Sequence, residues 1–128
     1  MGALMNTEQW LMAANGLVIT RLHTGEVCPV AGHRVQDTTV SVFPKPVLRR
    51  RGLQVTTVEL NLEAWLVNDL ATGRTLPLVC DNQTVACQVA VSYHLQAAQG
   101  GLNIGDGAAV SAWCEWVAQT SDHISYEP

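Results

Sequence analysis

The stretch from Thr57 to Leu66 restricts the fold more than any other part of the chain. Val58, Leu60, Leu62, Ala64 and Leu66 fall on one side of an extended backbone. Thr57, Glu59, Asn61 and Glu63 fall on the other, with Trp65 joining that polar side. A side-chain period of two belongs to a strand with one face buried and one face wet, so the chain must build a sheet. Upstream, Leu53 and Val55 have the opposite parity. A one-residue slip turns an apolar face outward unless the backbone absorbs it, and a bulge is predicted near Thr56–Thr57.

Other segments supply partners for that strand. Leu17–Leu22 is β-branched and reads as a strand, and His23–Asp37 carries the turn formers Gly25, Pro29 and Gly32. Thr38–Phe43 alternates with Val40 and Val42 on one face, and Pro44 and Pro46 are expected to end it because neither can donate to a ladder. Asn68–Gly73 reads as a loop, and Leu76–Cys80 as a strand that Pro77 sends to an edge. After a turn at Asp81–Thr84, the stretch Thr84–Leu95 predicts a long strand with Val85, Cys87, Val89, Val91, Tyr93 and Leu95 inward. It would lie beside Val58–Leu66 as the interior wall.

Helices are expected at the two ends. Asn6 and Thr7 cap a short one carrying Trp10, Leu11 and Ala14, stopped by Asn15-Gly16. Gln96–Gly105 is glycine-rich and loose, and Asp106 then caps a helix to about Gln119 with Val110, Trp113, Cys114 and Val117 on one stripe. The polar tail from about residue 120 reads as mobile. The expected fold is α+β in a single domain spanning 1–128. It is a mainly antiparallel β-sheet with a short N-terminal helix and a C-terminal helix packed on one face.

Only 14% of the residues are charged and 48% are apolar, against roughly 25% charged in an average domain. So thin a polar coat suggests that part of the surface is covered by neighbours. Asp and Glu outnumber Lys and Arg by 11 to 7, the wrong sign for general binding to nucleic acid. No basic segment leads into an apolar core at the start, so no secretory signal is visible and a cytoplasmic or virion location is expected. No apolar run approaches the ~20 residues that cross a bilayer. Cys28, Cys80, Cys87 and Cys114 form no CxxC pair and read as reduced, buried thiols. Their spacing leaves open whether Cys80 and Cys87 ever pair.

No residue set specifies a reaction, and no catalytic, cofactor or metal residue is assigned. Gly100–Gly107 (GGLNIGDG) lacks the Lys-Ser/Thr ending of a phosphate loop and the glycine spacing of a dinucleotide site. His23, Cys28 and His33 are too evenly spread to fix two metal ligands at once. Ser92 and His94, with Glu59 or Glu63, would need the serine on an exposed turn, and Cys114 with His123 would need an exposed thiol. The sequon Asn82-Gln83-Thr84 carries little weight without a secretory signal. Two features suit interaction: the basic run Arg49, Arg50 and Arg51, ahead of Gly52, and Trp65 on an otherwise polar strand face.

LPLVCDNQTVACQVAVSYHL, Leu76 to Leu95, resembles the stomatin–prohibitin (SPFH) domain at the strand where a Thr-Lys-Asp-Asn turn precedes a Val-rich run ending in Tyr. Asp81, Asn82, Thr84, Val85 and Tyr93 match, and GLVITRL is similar to that family's opening strand. The chain departs from the family in lacking its Pro-Gly-Leu motif, in a longer hairpin through Ala71, and in having no anchor or coiled coil. The resemblance covers about a sixth of the chain and implies a membrane-scaffold module. The residues themselves lead first to a non-catalytic structural or assembly subunit, such as a phage or virion component, whose partner is itself, as a homo-oligomer, or another protein. An SPFH-like or regulatory binding module comes second, and a small enzyme third.

Overall fold

The computed structural model describes residues 16–21, 27–52 and 54–128, so the helix expected over residues 6–14 lies outside the described residues. The order is β1 (Gly16–Arg21), β2 (Val27–Arg34), β3 (Val40–Arg51), β4 (Gln54–Asp69), β5 (Arg74–Thr75), β6 (Leu78–Cys80), α1 (Gln83–Ala98), α2 (Gly107–Gln119) and β7 (Ile124–Tyr126). The strands form one sheet in the order β1-β2-β3-β4-β6-β7, with β5 also paired to β4. Every pairing is antiparallel. The class is α+β, as expected.

The bulge predicted near Thr56–Thr57 is present: Arg49 pairs with Thr57 and Arg50 with Val55, leaving Thr56 extra. A second irregularity was not anticipated. Pro44 pairs with Trp65 but Lys45 pairs with Asn61, so Leu62, Glu63 and Ala64 are extra on β4. The Asn61 side chain accepts from the Glu63 N–H at 3.0 Å, and the Trp65 indole N–H donates to the Leu62 carbonyl at 2.8 Å. Three is an odd number, so the insertion exchanges the faces of β4. The expected wall is corrected accordingly: Trp65, Val67 and Asp69 are buried, while Leu60, Leu62, Ala64 and Leu66 are only half-buried.

The largest correction concerns Thr84–Leu95, which is part of helix α1 and not a strand. Apolar residues occur there at both periods. The helical set Ala86, Val89, Ala90 and Tyr93 is buried, whereas Val91 and Leu95 of the supposed inward strand face are 39% and 48% exposed. The Asn82 side chain caps α1 by accepting from the Val85 N–H at 2.9 Å. Ala86 and Ala90, fully buried, let the helix backbone close on the sheet. Thr84, Val85 and Tyr93, three of the residues compared with the SPFH domain, lie on this helix.

Three smaller expectations also change. Val27–Arg34, within the segment read as turns, is strand β2. Pro44 and Pro46 do not end their strand, because β3 runs on to Arg51. The Val35 N–H donates to the Val40 carbonyl, so even-numbered residues of β3 direct their backbone groups toward β2. Pro44 and Pro46 remove donors from that edge only, the one β2 leaves after pairing His33 with Val42. Pro77 does not mark an edge either. The tail forms β7 and covers β6, with Asp81 N–H donating to the His123 carbonyl and Glu127 N–H to that of Pro77. Ile124 and Tyr126 are half-buried and Ser125 is exposed, the alternation of a short edge strand.

Cross-strand partners share a face, so Val40, Val42 and Pro44 lie with Asp69, Val67 and Trp65 beneath α1. Ser41, Phe43 and Asn68, on the other face, are buried too. There β1 meets β5, so the sheet curls on itself away from the helices. Each fully buried Phe, Leu or Val contributes about 1.5–3 kcal/mol. Gly100, at φ 77°, ends α1 by turning left-handed, and the N–H groups of Gly101 and Leu102 both return to the Gln96 carbonyl. Asp106 caps α2 as expected, accepting from Ala108 N–H at 3.0 Å. Val110, Cys114 and Val117 of its stripe are buried and Trp113 half-buried.

Candidate functional site

The two helices do not close on each other completely. Between them runs a groove of about 390 Å³. Gln88, Ser92 and Gln96, at successive turns of α1, give one wall its amides and hydroxyl, above Val85 and Val89. Trp113 and Trp116, three residues apart on α2, form the other wall, and Ser121, His123 and Ile124 close one end. Trp113 is held edge-on against Tyr93, ring centres 5.7 Å apart at 61°. Trp116 is 61% exposed, an unusual state for so large an apolar side chain. The lining residues carry no Lys, Arg, Asp or Glu.

At the closed end His123 Nδ1 meets Asp81 Oδ2 at 3.2 Å, both side chains being more than half exposed. Ser92 lines the same groove, but among the described residues no hydroxyl bonds the other nitrogen of His123. His94, two residues from Ser92 and so about 200° away around the helix, is not a groove residue, and Glu59 and Glu63 stand exposed on β4. The serine, histidine and carboxylate weighed in the sequence are not brought together. The thiols are equally unsuited to attack. Burial above all, then the Asp81 charge and the two neighbouring thiols, pushes Cys80 up to about 12. Burial likewise pushes Cys114 up to about 12 and raises Cys87. Cys80, Cys87 and Cys114 are in no disulfide. Cys114 is a core residue and not a partner for His123.

The interaction candidates separate. Trp65 is 2% exposed and belongs to the core, its side turned inward by the odd insertion at Leu62–Ala64. Arg49, Arg50 and Arg51 close β3 at the tip of its hairpin with β4, opposite Thr57, Val55 and Gln54. Gly52 follows at φ 65°, in the region where a side chain is strained, and Arg51 is exposed. From Val47 to Arg51 the β3–β4 ribbon has no third strand among the described residues. At 3.3 Å per residue it is an arm roughly 17 Å long.

Charge is divided between the two halves of the molecule. All seven Lys and Arg residues lie between Arg21 and Arg74. From Thr75 to the end there are none, against five carboxylates: Asp81, Asp106, Glu115, Asp122 and Glu127. The helical half is therefore acidic and the arm tip basic. Both that division and the Trp113/Trp116 spacing were readable before the fold was known. The groove was not, because it needs α1 to be a helix.

Among the described residues there is no group of three His, Cys, Asp or Glu side chains that could hold a metal ion. No helix among them is long and apolar enough to cross a membrane. No protein-family model matches the chain, and neither does any curated protein or solved structure.

Proposed function

We propose that the chain is an assembly subunit that acts by binding copies of itself, of the kind that builds a repeating shell or tube such as a virion. The observation that carries this reading is the β3–β4 arm. A two-stranded ribbon is at best marginally stable in water, and this one ends in three consecutive arginines. An arm of that kind is retained where another surface receives it. The low charged fraction and the exposed Trp116, Leu95 and Val91 on the helices support the same reading, since an isolated monomer gains nothing by leaving them wet.

Binding is favoured over catalysis by where the reactive groups sit. Ser92 and His94 point to different flanks of α1, and the Cys80 and Cys114 thiols are buried in their protonated form. The test is light scattering coupled to size-exclusion chromatography over a range of concentrations. A defined homo-oligomer or a growing polymer is expected. A monomer that persists to about 100 µM, a dissociation constant no tighter than roughly 10⁻⁴ M, would refute the reading.

A further inference from the structure

The α1/α2 groove is neutral, with unpaired polar groups along one wall and tryptophan rings along the other. We propose that it binds a neutral carbohydrate, a disaccharide held between the Gln88–Ser92–Gln96 row and the Trp113/Trp116 pair. This goes beyond the assembly reading and does not rest on it.

Charge narrows the ligand first. With no Lys, Arg, Asp or Glu in the lining, an ionic ligand would lose water there without gaining a counter-charge. Asp81, in contact with His123 at the closed end, disfavours an anion further. The groove's volume of about 390 Å³ falls at the lower end of the roughly 300–1,000 Å³ of small-molecule sites.

Hydrogen-bonding capacity comes next. The hydroxyls at the closed end are used within the fold: Thr120 Oγ1 donates to the Val117 carbonyl, and Ser121 Oγ accepts from the His123 N–H. The α1 wall differs. Gln88, Ser92 and Gln96 are exposed, and their side chains make no hydrogen bond among the described residues. Four residues of helix separate each from the next, about 6 Å of rise per step and roughly 12 Å in all, which suits a disaccharide. Amides and hydroxyls both donate and accept, as sugar hydroxyls do. His123 adds a constraint. Its Nδ1 is turned to Asp81 Oδ2 at 3.2 Å, which holds the proton of the neutral ring there and leaves Nε2 as an acceptor. That acceptor needs a donor. A hydroxyl supplies one, whereas the carbonyls of a proline-rich peptide, another guest of aromatic-lined grooves, do not.

The facing wall suits the other side of a sugar ring. Trp113 is held against Tyr93, and Trp116, three residues on, is 61% exposed. The negative face of an indole attracts the polarised C–H bonds on the flat side of a pyranose. Neither indole N–H has a hydrogen-bond partner among the described residues, whereas that of Trp65 donates to the Leu62 carbonyl. A hydroxylated ligand offers both an oxygen.

The test is titration of the full chain with cellobiose, maltose, lactose and N,N′-diacetylchitobiose, read by tryptophan emission and calorimetry. At least one should bind with a Kd of about 1 mM or tighter. Its affinity should change less than about twofold between 50 and 500 mM NaCl, since no charge takes part. Trp116→Ala and Gln88→Ala/Gln96→Ala should each weaken binding about tenfold while melting close to the parent, because these side chains are exposed. Leu95→Ala, exposed but outside the groove, should leave binding unchanged. Binding that survives the glutamine variant undiminished overturns the proposal, because an apolar contact needs no amides. So does the absence of binding by all four sugars at about 20 mM. In that case, loss of oligomeric mass in Trp116→Ala would assign the groove to a second copy, and binding of a decaproline peptide would assign it to a peptide.

Discussion

Removing one oxygen atom from the interior tests the helical placement of residues 83–98 directly. Tyr93 is 2% exposed, and its hydroxyl donates to Asp69 Oδ2 at 2.5 Å. Asp69 is fully buried, and its other oxygen accepts from the Ala71 N–H at 2.9 Å. In Tyr93→Phe the ring keeps its place against Trp113, so little packing is lost, but Oδ2 loses its phenol donor in a site closed to water. Orphaning a buried acceptor costs about 1–3 kcal/mol. The expected loss is about 2–3 kcal/mol, equivalent to a fall in Tm of roughly 6–12 °C for a domain of this size.

Urea titration of the parent, Tyr93→Phe, Asp69→Asn and the double variant completes a cycle. The two groups act on each other, so the sum of the two single losses should exceed the double loss by about 1–2 kcal/mol. The result depends on register. On a strand Tyr93 would share a face with Val91 and Leu95, which are well exposed; only the helix turns it inward with Ala86, Val89 and Ala90. A Tyr93→Phe loss below about 0.5 kcal/mol, or strict additivity in the cycle, would refute the contact and with it the helical phase.

Three further outcomes are expected. Ala90→Asp, at a fully buried site, should abolish cooperative unfolding as followed by circular dichroism, whereas Leu95→Asp should change stability by no more than about 0.5 kcal/mol; the strand reading would make both severe. Asp106→Ala should cost about 1 kcal/mol in urea titration by uncapping α2. Cys80 and Cys114 should resist thiol reagents at pH 8 until urea is added. Their folded values are raised from 9.0 to about 12, so their stabilising contribution is complete below pH 9. It falls as pH rises from 9 toward 12, where the unfolded chain releases protons the folded one keeps. Denaturation midpoints across that range should decline less steeply in Cys80→Ala/Cys114→Ala.

Where one local signal decided the structure, the sequence could be read. The parity break at Leu53–Val58 allowed only a bulge, and one stands at Thr56. Asp106, followed by a stripe at helical spacing, gave α2 to within a residue. Thr84–Leu95 satisfied two periods at once, and alternation alone could not choose between them. The choice was made by the Asn82 cap and by small residues at 86 and 90 that suit close helix–sheet contact. Trp65 was misplaced because the odd insertion at Leu62–Ala64 has no signature in alternation: every residue in it continues the pattern it interrupts. The tail was misjudged by its polarity, when what mattered was that β6 needed a partner for its second edge. The groove followed from the helix and was hidden with it.

The prolines that were expected to end β3 instead decide how its arm can be used. With no N–H at Pro44 or Pro46, β2 would find acceptors but no donors by following β3 beyond Val42, and the β3–β4 ribbon leaves the sheet as a pair. The same absence makes the base of that edge a poor template for a strand from another chain, since an added strand would find two donors missing in succession. Backbone pairing is thereby discouraged at the base of the ribbon.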